Sequence, residues 1–181
     1  MDWTAALRVP VLETARLRLR GHRVDDYEAL AAMWADPLVV RYLGRQPSTR
    51  EVSWQRLLRY PGLWALLGYG YWAVEETASG RCIGDIGYAD FHRDIDPSFD
   101  GTPELGWVLA AHAHGKGYAS EALQAVLAWG DAHFGPHRAA CVIEPENVAS
   151  LRLAARHGFV AERETRYHGE ILRMLARDTR A

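Results

Sequence analysis

Lysine is almost missing from this 181-residue chain: Lys116 is the only one, and the other 20 of its 21 basic residues are arginines. That bias matches a skewed genomic base composition and carries no chemistry by itself. An excess of positive charge is also missing. A formal net charge of -2 and a pI near 6.4 exclude the broad basic surface that grips nucleic acid, so a small or peptide-like partner is expected. Cysteine is scarce, with Cys82 and Cys141 far apart in apolar stretches. They read as buried free thiols of a reducing compartment rather than as a disulfide framework. No apolar run approaches the roughly 20 residues of a membrane span. The segment Met1 to Leu12 carries Asp2 and Arg8 and lacks the apolar core of a signal peptide, so no membrane association and a cytoplasmic location are expected. There is no repeat, no linker rich in proline, glycine or serine, and no polar low-complexity tract. With 49% hydrophobic and 24% charged residues, residues 1–181 read as a single folded domain.

What is present is a regular alternation of elements. Leu17, Leu19 and His22 alternate with Arg16, Arg18 and Arg20, the period of a half-buried strand at or near a sheet edge. Asp25-Asp26 precede Tyr27, Leu30, Ala31 and Trp34 at helical spacing, and Asp36-Pro37 should stop that helix. Ser48-Thr49-Arg50-Glu51 resembles a capping box for a second helix through Trp54, Leu57 and Leu58, ending before Pro61. Residues 71–75 and 81–88 read as two antiparallel strands around a turn at Ala78-Ser79-Gly80. An exposed loop follows from His92 to Thr102, then a strand from Glu104 to Leu109. A glycine loop leads into a helix whose Ala119, Leu123, Val126, Leu127 and Gly130 share a face. A strand from Arg138 to Ile143, a helix from Val148 to Arg156 and a closing strand pair complete the order β α α β β β α β α β β.

The junction after Leu109 carries the strongest chemical signal. A strand, a glycine turn and a helix start aim several free backbone N–H groups and the positive end of a helix dipole at one point, which favours a phosphate or pyrophosphate. Gly115 and Gly117 permit a tight turn and close approach of a ligand; a plain connecting turn is the alternative. Neither the Gly-x-x-x-x-Gly-Lys-Ser/Thr nor the Gly-x-Gly-x-x-Gly pattern is present, which demotes ATP hydrolysis and dinucleotide redox chemistry.

At this loop, His114-Gly-Lys-Gly117-Tyr-Ala119, the chain resembles the GNAT superfamily of acyl-CoA-dependent N-acetyltransferases, whose motif is Arg/Gln-x-x-Gly-x-Gly/Ala. Gly117 and Ala119 match and His114 departs. Glu-Leu-Gly-Trp-Val-Leu before the loop, Asn147-x-x-Ser150 opening the next helix and Arg156-His-Gly-Phe159 ending it fit as well. With Leu12-Glu-Thr-Ala-Arg-Leu-Arg-Leu-Arg20 they resemble the RimJ/RimL branch of ribosomal-protein N-terminal acetyltransferases. The resemblance spans nearly the whole chain. It implies an α/β (α+β) fold with a central mixed, mostly antiparallel sheet, flanked by helices, whose fourth and fifth strands splay apart. Acetyl-CoA as co-substrate would sit in the wedge, its pantetheine along Trp107, Val108 and Leu109. Its pyrophosphate would lie on His114, Gly115, Lys116, Gly117, Tyr118 and Ala119, beside Ser120, with Asn147 near the pantetheine or acceptor.

The reaction implied is direct transfer of an acetyl group, through a ternary complex, to a peptide α-amine or a small amine. An α-amine, with a pKa of about 7.7 to 8.0, needs less help losing its proton than a lysine near 10.4. Glu104 is the candidate base, with Asp90 and His92 as alternatives and an ordinary strand residue as the plain reading. The helix tyrosine that protonates the thiolate in many relatives is replaced by Ala154, so Ser150 becomes the candidate acid. Asn147 and Ser150 also read as helix-capping residues. A backbone N–H near Val108 is the candidate oxyanion donor. His112 and His114 lack a third partner at metal spacing, so no metal is expected. Asp94, Asp96 and Asp100 read as solvated loop acids, with a cationic acceptor as the alternative they suggest. The replaced motif residues leave a catalytically silent acyl-CoA binding module as the competing reading, and the tryptophans leave a homodimer open.

Overall fold

The computed structural model describes residues 9–99 and 101–179; Asp2, Arg8 and Asp100 lie outside them. Strands β1 (Leu12–Glu13) and β2 (Leu17–Arg20) precede helices α1 (Tyr27–Ala35), α2 (Pro37–Val40) and α3 (Arg50–Leu67). Strands β3 (Tyr71–Glu76), β4 (Arg81–Ala89) and β5 (Glu104–Leu109) lead to α4 (Tyr118–Phe134). Then come β6 (Arg138–Ile143), α5 (Val148–Arg156), β7 (Val160–Tyr167) and β8 (Glu170–Asp178). The strands form one open sheet in the order β1-β2-β3-β4-β5-β6-β8-β7. Every neighbouring pair is antiparallel except β5 and β6, which run parallel and meet at a single residue pair, Glu104 with Ala140. Beyond that point β5 and β6, the fourth and fifth strands when the two-residue β1 is not counted, diverge, which is the expected splay.

Apolar alternation on β5 divides the core between the two faces of the sheet. Leu105 and Leu109 pack with Leu123 and Val126 of α4 and Leu153 of α5. Val108 packs on the other face, with Leu30 and Met33 of α1 and Leu57 and Tyr60 of α3.

Two local expectations need correcting. Helix α3 does not end before Pro61 but runs through it to Leu67. A proline inside a helix costs about 3 kcal/mol. Leu57, Tyr60 and Trp64, at 3%, 2% and 7% exposure on either side of it, together return more than that, since each buried large side chain contributes roughly 1.5–3 kcal/mol. The cap of α3 is Thr49, one residue later than expected, whose hydroxyl accepts from the Val52 N–H at 3.2 Å; with valine at that third helical position the reciprocal half of the expected capping box is missing.

Arg20, expected on the solvent side of its strand, is buried. Its guanidinium holds Asp26 through two 2.8 Å bonds and Glu75 through one of 2.6 Å. Burial works against the Asp26 charge, but the Arg20 bonds and the Arg23 N–H outweigh it and pull its carboxyl below the ordinary range. Because the folded-state affinity for protons is depressed, this contribution to stability is complete above the unfolded value, about 3.9, and disappears as pH falls through the lower folded value. The urea midpoint is therefore expected to drop below about pH 4, and to drop less steeply in Asp26→Asn. Equal slopes in both proteins would contradict the assignment.

Candidate active site

The register of β4 and β5 determines which backbone groups face the wedge. The Ala110 N–H donates to the Ile83 carbonyl at 2.9 Å, and the pairing runs back without a shift to Ala89 and Glu104. Antiparallel pairs alternate between bonded and non-bonded. Counting back in twos, the N–H and C=O of Val108, Gly106 and Glu104 turn toward β4, and those of Leu105, Trp107 and Leu109 turn toward β6. The Val108 N–H therefore belongs to the sheet, and the N–H groups beside it that turn toward the wedge are those of Trp107 and Leu109. The His114 ring closes the mouth end of this edge: its Nε2 donates to the Leu109 carbonyl at 2.8 Å, which requires the proton on Nε2. Trp107 keeps both its backbone groups at the diverging edge.

The glycine loop is held from two sides. Gly115 and Gly117 adopt φ +74 and +81, and a Cβ on Gly117 would come within 3.4 Å of the Arg16 guanidinium. Gly117 opens α4, whose first N–H groups have no partner within the helix. In that first turn, the Glu121 carboxylate accepts from the Thr14 hydroxyl at 2.6 Å and from the Arg16 N–H and Nε at 2.8 Å each. Burial opposes the Glu121 charge, and the Thr14 and Arg16 bonds more than compensate, lowering its pKa. Arg16 also donates to the Lys116 carbonyl at 2.9 Å and lies 4.7 Å from the Tyr118 ring centre. Lys116 is exposed, and the Ser120 hydroxyl is bonded to the His157 Nε2 at 2.8 Å. The turn between β1 and β2 therefore fixes the loop and brings a second cation to it.

At the closed end of the wedge, Glu104 is not an exposed strand residue: it is 4% exposed, and Arg93 reaches it through Nε at 2.7 and 3.0 Å and Nη2 at 2.9 Å. Arg93 comes from the loop that joins β4 to β5, which shows how that loop is tied to the site. The Tyr71 hydroxyl lies over the next residues of β5, so close that a Cβ on Gly106 would meet it at 2.1 Å. Asp90 accepts from the His92 and Gly101 N–H groups at 3.2 Å each and shapes the same loop. Asp94 and Asp96 are exposed.

On the other flank of the wedge, the Asn147 side chain caps α5 by accepting from the Ser150 N–H at 3.1 Å. The Ser150 hydroxyl accepts from the Trp107 indole at 3.2 Å, so its own proton is uncommitted in that bond. Ala154, one turn further along α5, is fully buried. Burial pushes the Cys82 thiol up to about 12 and the Cys141 thiol up as well, so neither is a ready nucleophile. Among the described residues no group of three His, Cys, Asp or Glu side chains converges as a metal site, and no helix is long and apolar enough to cross a membrane.

The Acetyltransferase (GNAT) domain matches residues 16–160, from the arginine beside the glycine loop to the start of β7. The chain belongs to the GNAT acetyltransferase family. Two related proteins are the uncharacterized N-acetyltransferases p20 of Bacillus licheniformis, 28% identical over 83% of each chain, and YoaA of Bacillus subtilis, 29% identical over 84% of each. A GNAT-family protein from Bordetella pertussis superimposes with a TM-score of 0.82 at 31% identity, covering 93% of this chain and 99% of its own. The Vibrio cholerae spermidine N-acetyltransferase, in complex with CoA and spermine, shares the fold at 16% identity and a TM-score of 0.71, covering 91% of this chain and 96% of its own. This protein is thus an N-acetyltransferase of the GNAT family, and its described residues form an eight-stranded, mostly antiparallel open sheet and five α-helices.

Several residues of this GNAT site have no local sequence signal. Arg93 and Tyr71 meet β5 only through folding, and Glu121 acquires its role from Thr14 and Arg16 more than 100 positions away. A signal for the latch existed in Thr14-Ala-Arg16 ahead of the first long strand, but its partner could not be read from spacing.

Proposed function

We propose that the protein transfers an acetyl group from acetyl-CoA directly to an α-amine, on a peptide or a small molecule, through a ternary complex. The observation that carries this reading is the free β5 edge at Trp107 ending in the Arg16-braced glycine loop. A pantetheine chain offers the amides that such an edge can pair with, and a pyrophosphate offers the charge that the α4 N-terminus, Arg16 and Lys116 favour. The open space around Gly115, where an added Cβ meets nothing within 4 Å, leaves room for it.

Bound acetyl-CoA would supply an activated thioester. With its phosphates on the loop and its chain along Trp107, the acyl end lies toward Glu104. Glu104 takes the proton of the incoming amine, directly or through one water. Its Oε1 already accepts twice from Arg93, whereas Oε2 accepts once and keeps a second lone pair for that proton. The Trp107 N–H is the donor for the developing oxyanion, and it is already fixed in direction by the strand. Ser150, oriented by the Trp107 indole, gives its proton to the departing thiolate. The two raised thiols leave no cysteine suited to carry the acetyl group, which favours direct transfer. The latch of Thr14 and Arg16 on Glu121, built from the segment that resembles the RimJ/RimL branch, supports that branch and hence an N-terminal α-amine. A single domain in the cytoplasm fits this role.

A thiol-release assay on peptide amino termini and small amines tests the reading. CoA release above the hydrolysis rate is expected; binding without release on any amine would mark a silent acyl-CoA module. Ser150→Ala is expected to lower kcat by about 10²-fold or less, the low end of general-acid effects, because a thiol of pKa near 8.5 leaves with little assistance. Its acetyl-CoA Kd should be unchanged. An unaltered kcat would remove Ser150 from the mechanism.

A further inference from the structure

Outside the wedge, a groove of about 300 Å³ runs along α3, lined by Val52, Gln55, Arg56 and Arg59. Phe91 and Arg93 link it to the apex of the wedge. The Arg59 guanidinium lies 5.2 Å from the Phe91 ring centre, the Arg93 guanidinium lies 4.6 Å from the same ring, and Arg93 holds Glu104. We propose that this groove receives carboxylates flanking the reactive amine, so that the acceptor is the amino terminus of an acidic peptide.

Neither Arg56 nor Arg59 forms an ion pair among the described residues, and the two lie together in one groove. Arg56 is half-buried, stacked 3.6 Å from the Trp34 ring centre, with one long bond to the Ser48 hydroxyl at 3.4 Å. Burial, and then the charge of Arg59, make Arg56 hold its proton less tightly than an ordinary arginine. Two neighbouring guanidiniums without a carboxylate are the arrangement that an incoming anion relieves, and each can bind one through paired N–H bonds.

Two of the acids near the groove are already committed. Asp85 is 1% exposed and accepts from Tyr60 at 3.0 Å and Trp34 at 3.3 Å while bonded to His22 at 2.8 Å. Arg93 neutralises Glu104. Glu51 lies outside the groove lining and meets only the neutral Gln55 amide, at 3.4 Å. A polyamine would meet two cations here and find no free acid within the groove. This inference rests on the acetyl-transfer reading, because only that reading makes the apex the place where acceptor and acyl group meet.

The test is kcat/KM for thiol release with three synthetic peptides that share an N-terminal residue and differ only in having acidic, neutral or basic residues after it, with spermine as a fourth acceptor. The acidic peptide is expected to exceed the neutral one at least tenfold, and the advantage should shrink as salt rises. Arg59→Gln and Arg56→Gln should each cut the acidic-to-neutral ratio roughly tenfold, the effect of one hydrogen bond to a charged group. Acetyl-CoA Kd should be unchanged, and Arg59, being exposed, should leave the melting temperature unaltered. Transfer to the neutral peptide with no acidic preference, a ratio unmoved in both variants, or preference for spermine or the basic peptide would overturn the inference and leave the acetyl-transfer reading standing. Binding of acetyl-CoA with no transfer to any of the four would overturn both.

Discussion

Glu104→Gln is expected to lower kcat by about 10²- to 10⁴-fold, the range for loss of a positioned general base, with acetyl-CoA Kd unchanged. The substitution keeps the shape of the side chain and one acceptor oxygen toward Arg93 but removes the second carboxylate oxygen that would collect the proton. Its position argues for a loss in kcat. Glu104 forms the one residue pair between β5 and β6, so it sits where the wedge closes and where an acyl group extending from the loop along Trp107 would arrive. A stopped-flow or steady-state thiol assay separates kcat from KM, and a titration of acetyl-CoA excludes damage to the loop. A loss below tenfold would move the base elsewhere, with Asp90, at the start of the loop joining β4 to β5, the next candidate carboxylate. Raising pH should recover part of the lost rate, because a larger fraction of the amine is then already neutral.

Arg93→Ala is expected to cost about 3–5 kcal/mol of stability, the penalty for leaving one partner of a buried ion pair uncompensated. Glu104 is 6% exposed in its side chain and loses all three of its charge-assisted bonds in this variant. Arg93 additionally stacks on Phe91 at 4.6 Å and on Tyr167 at 5.2 Å, so the loop before β5 loosens with it. Urea melts of the variant beside the wild type read this loss directly. The double variant Arg93→Met/Glu104→Gln should regain most of the stability lost in Arg93→Ala while remaining inactive, which separates pairing from catalysis. Full activity in Arg93→Ala would mean that Glu104 needs no positioning partner.

Elements with a strong period or a fixed terminator were legible before any coordinates. Strands Glu104–Leu109 and Arg138–Ile143 and helix Val148–Arg156 coincide with the expected limits, because alternating or amphipathic runs there end at glycine, proline or an Asn cap. The reading failed where tertiary burial outweighed a local rule. Pro61 sits inside α3 because Tyr60 and Trp64 bury on either side of it. Arg20 turns inward because Asp26 and Glu75 await it. At the site, the loop and the Asn147 cap were visible as motifs. The pairing of Glu104 with Arg93, the latch on Glu121 and the groove at Arg56 and Arg59 were not, since each joins segments whose distance in sequence carries no information about contact. The direction of the β5 backbone was a matter of register, fixed only by the bond from Ala110 to Ile83.

The most direct test of the account is a calorimetric titration of the full chain with acetyl-CoA. Saturable one-to-one binding well below a millimolar Kd is predicted, weakened when Gly117→Val fills the loop against Arg16 and unaffected by Arg59→Gln. Absence of binding at millimolar acetyl-CoA in the folded wild-type protein would contradict it.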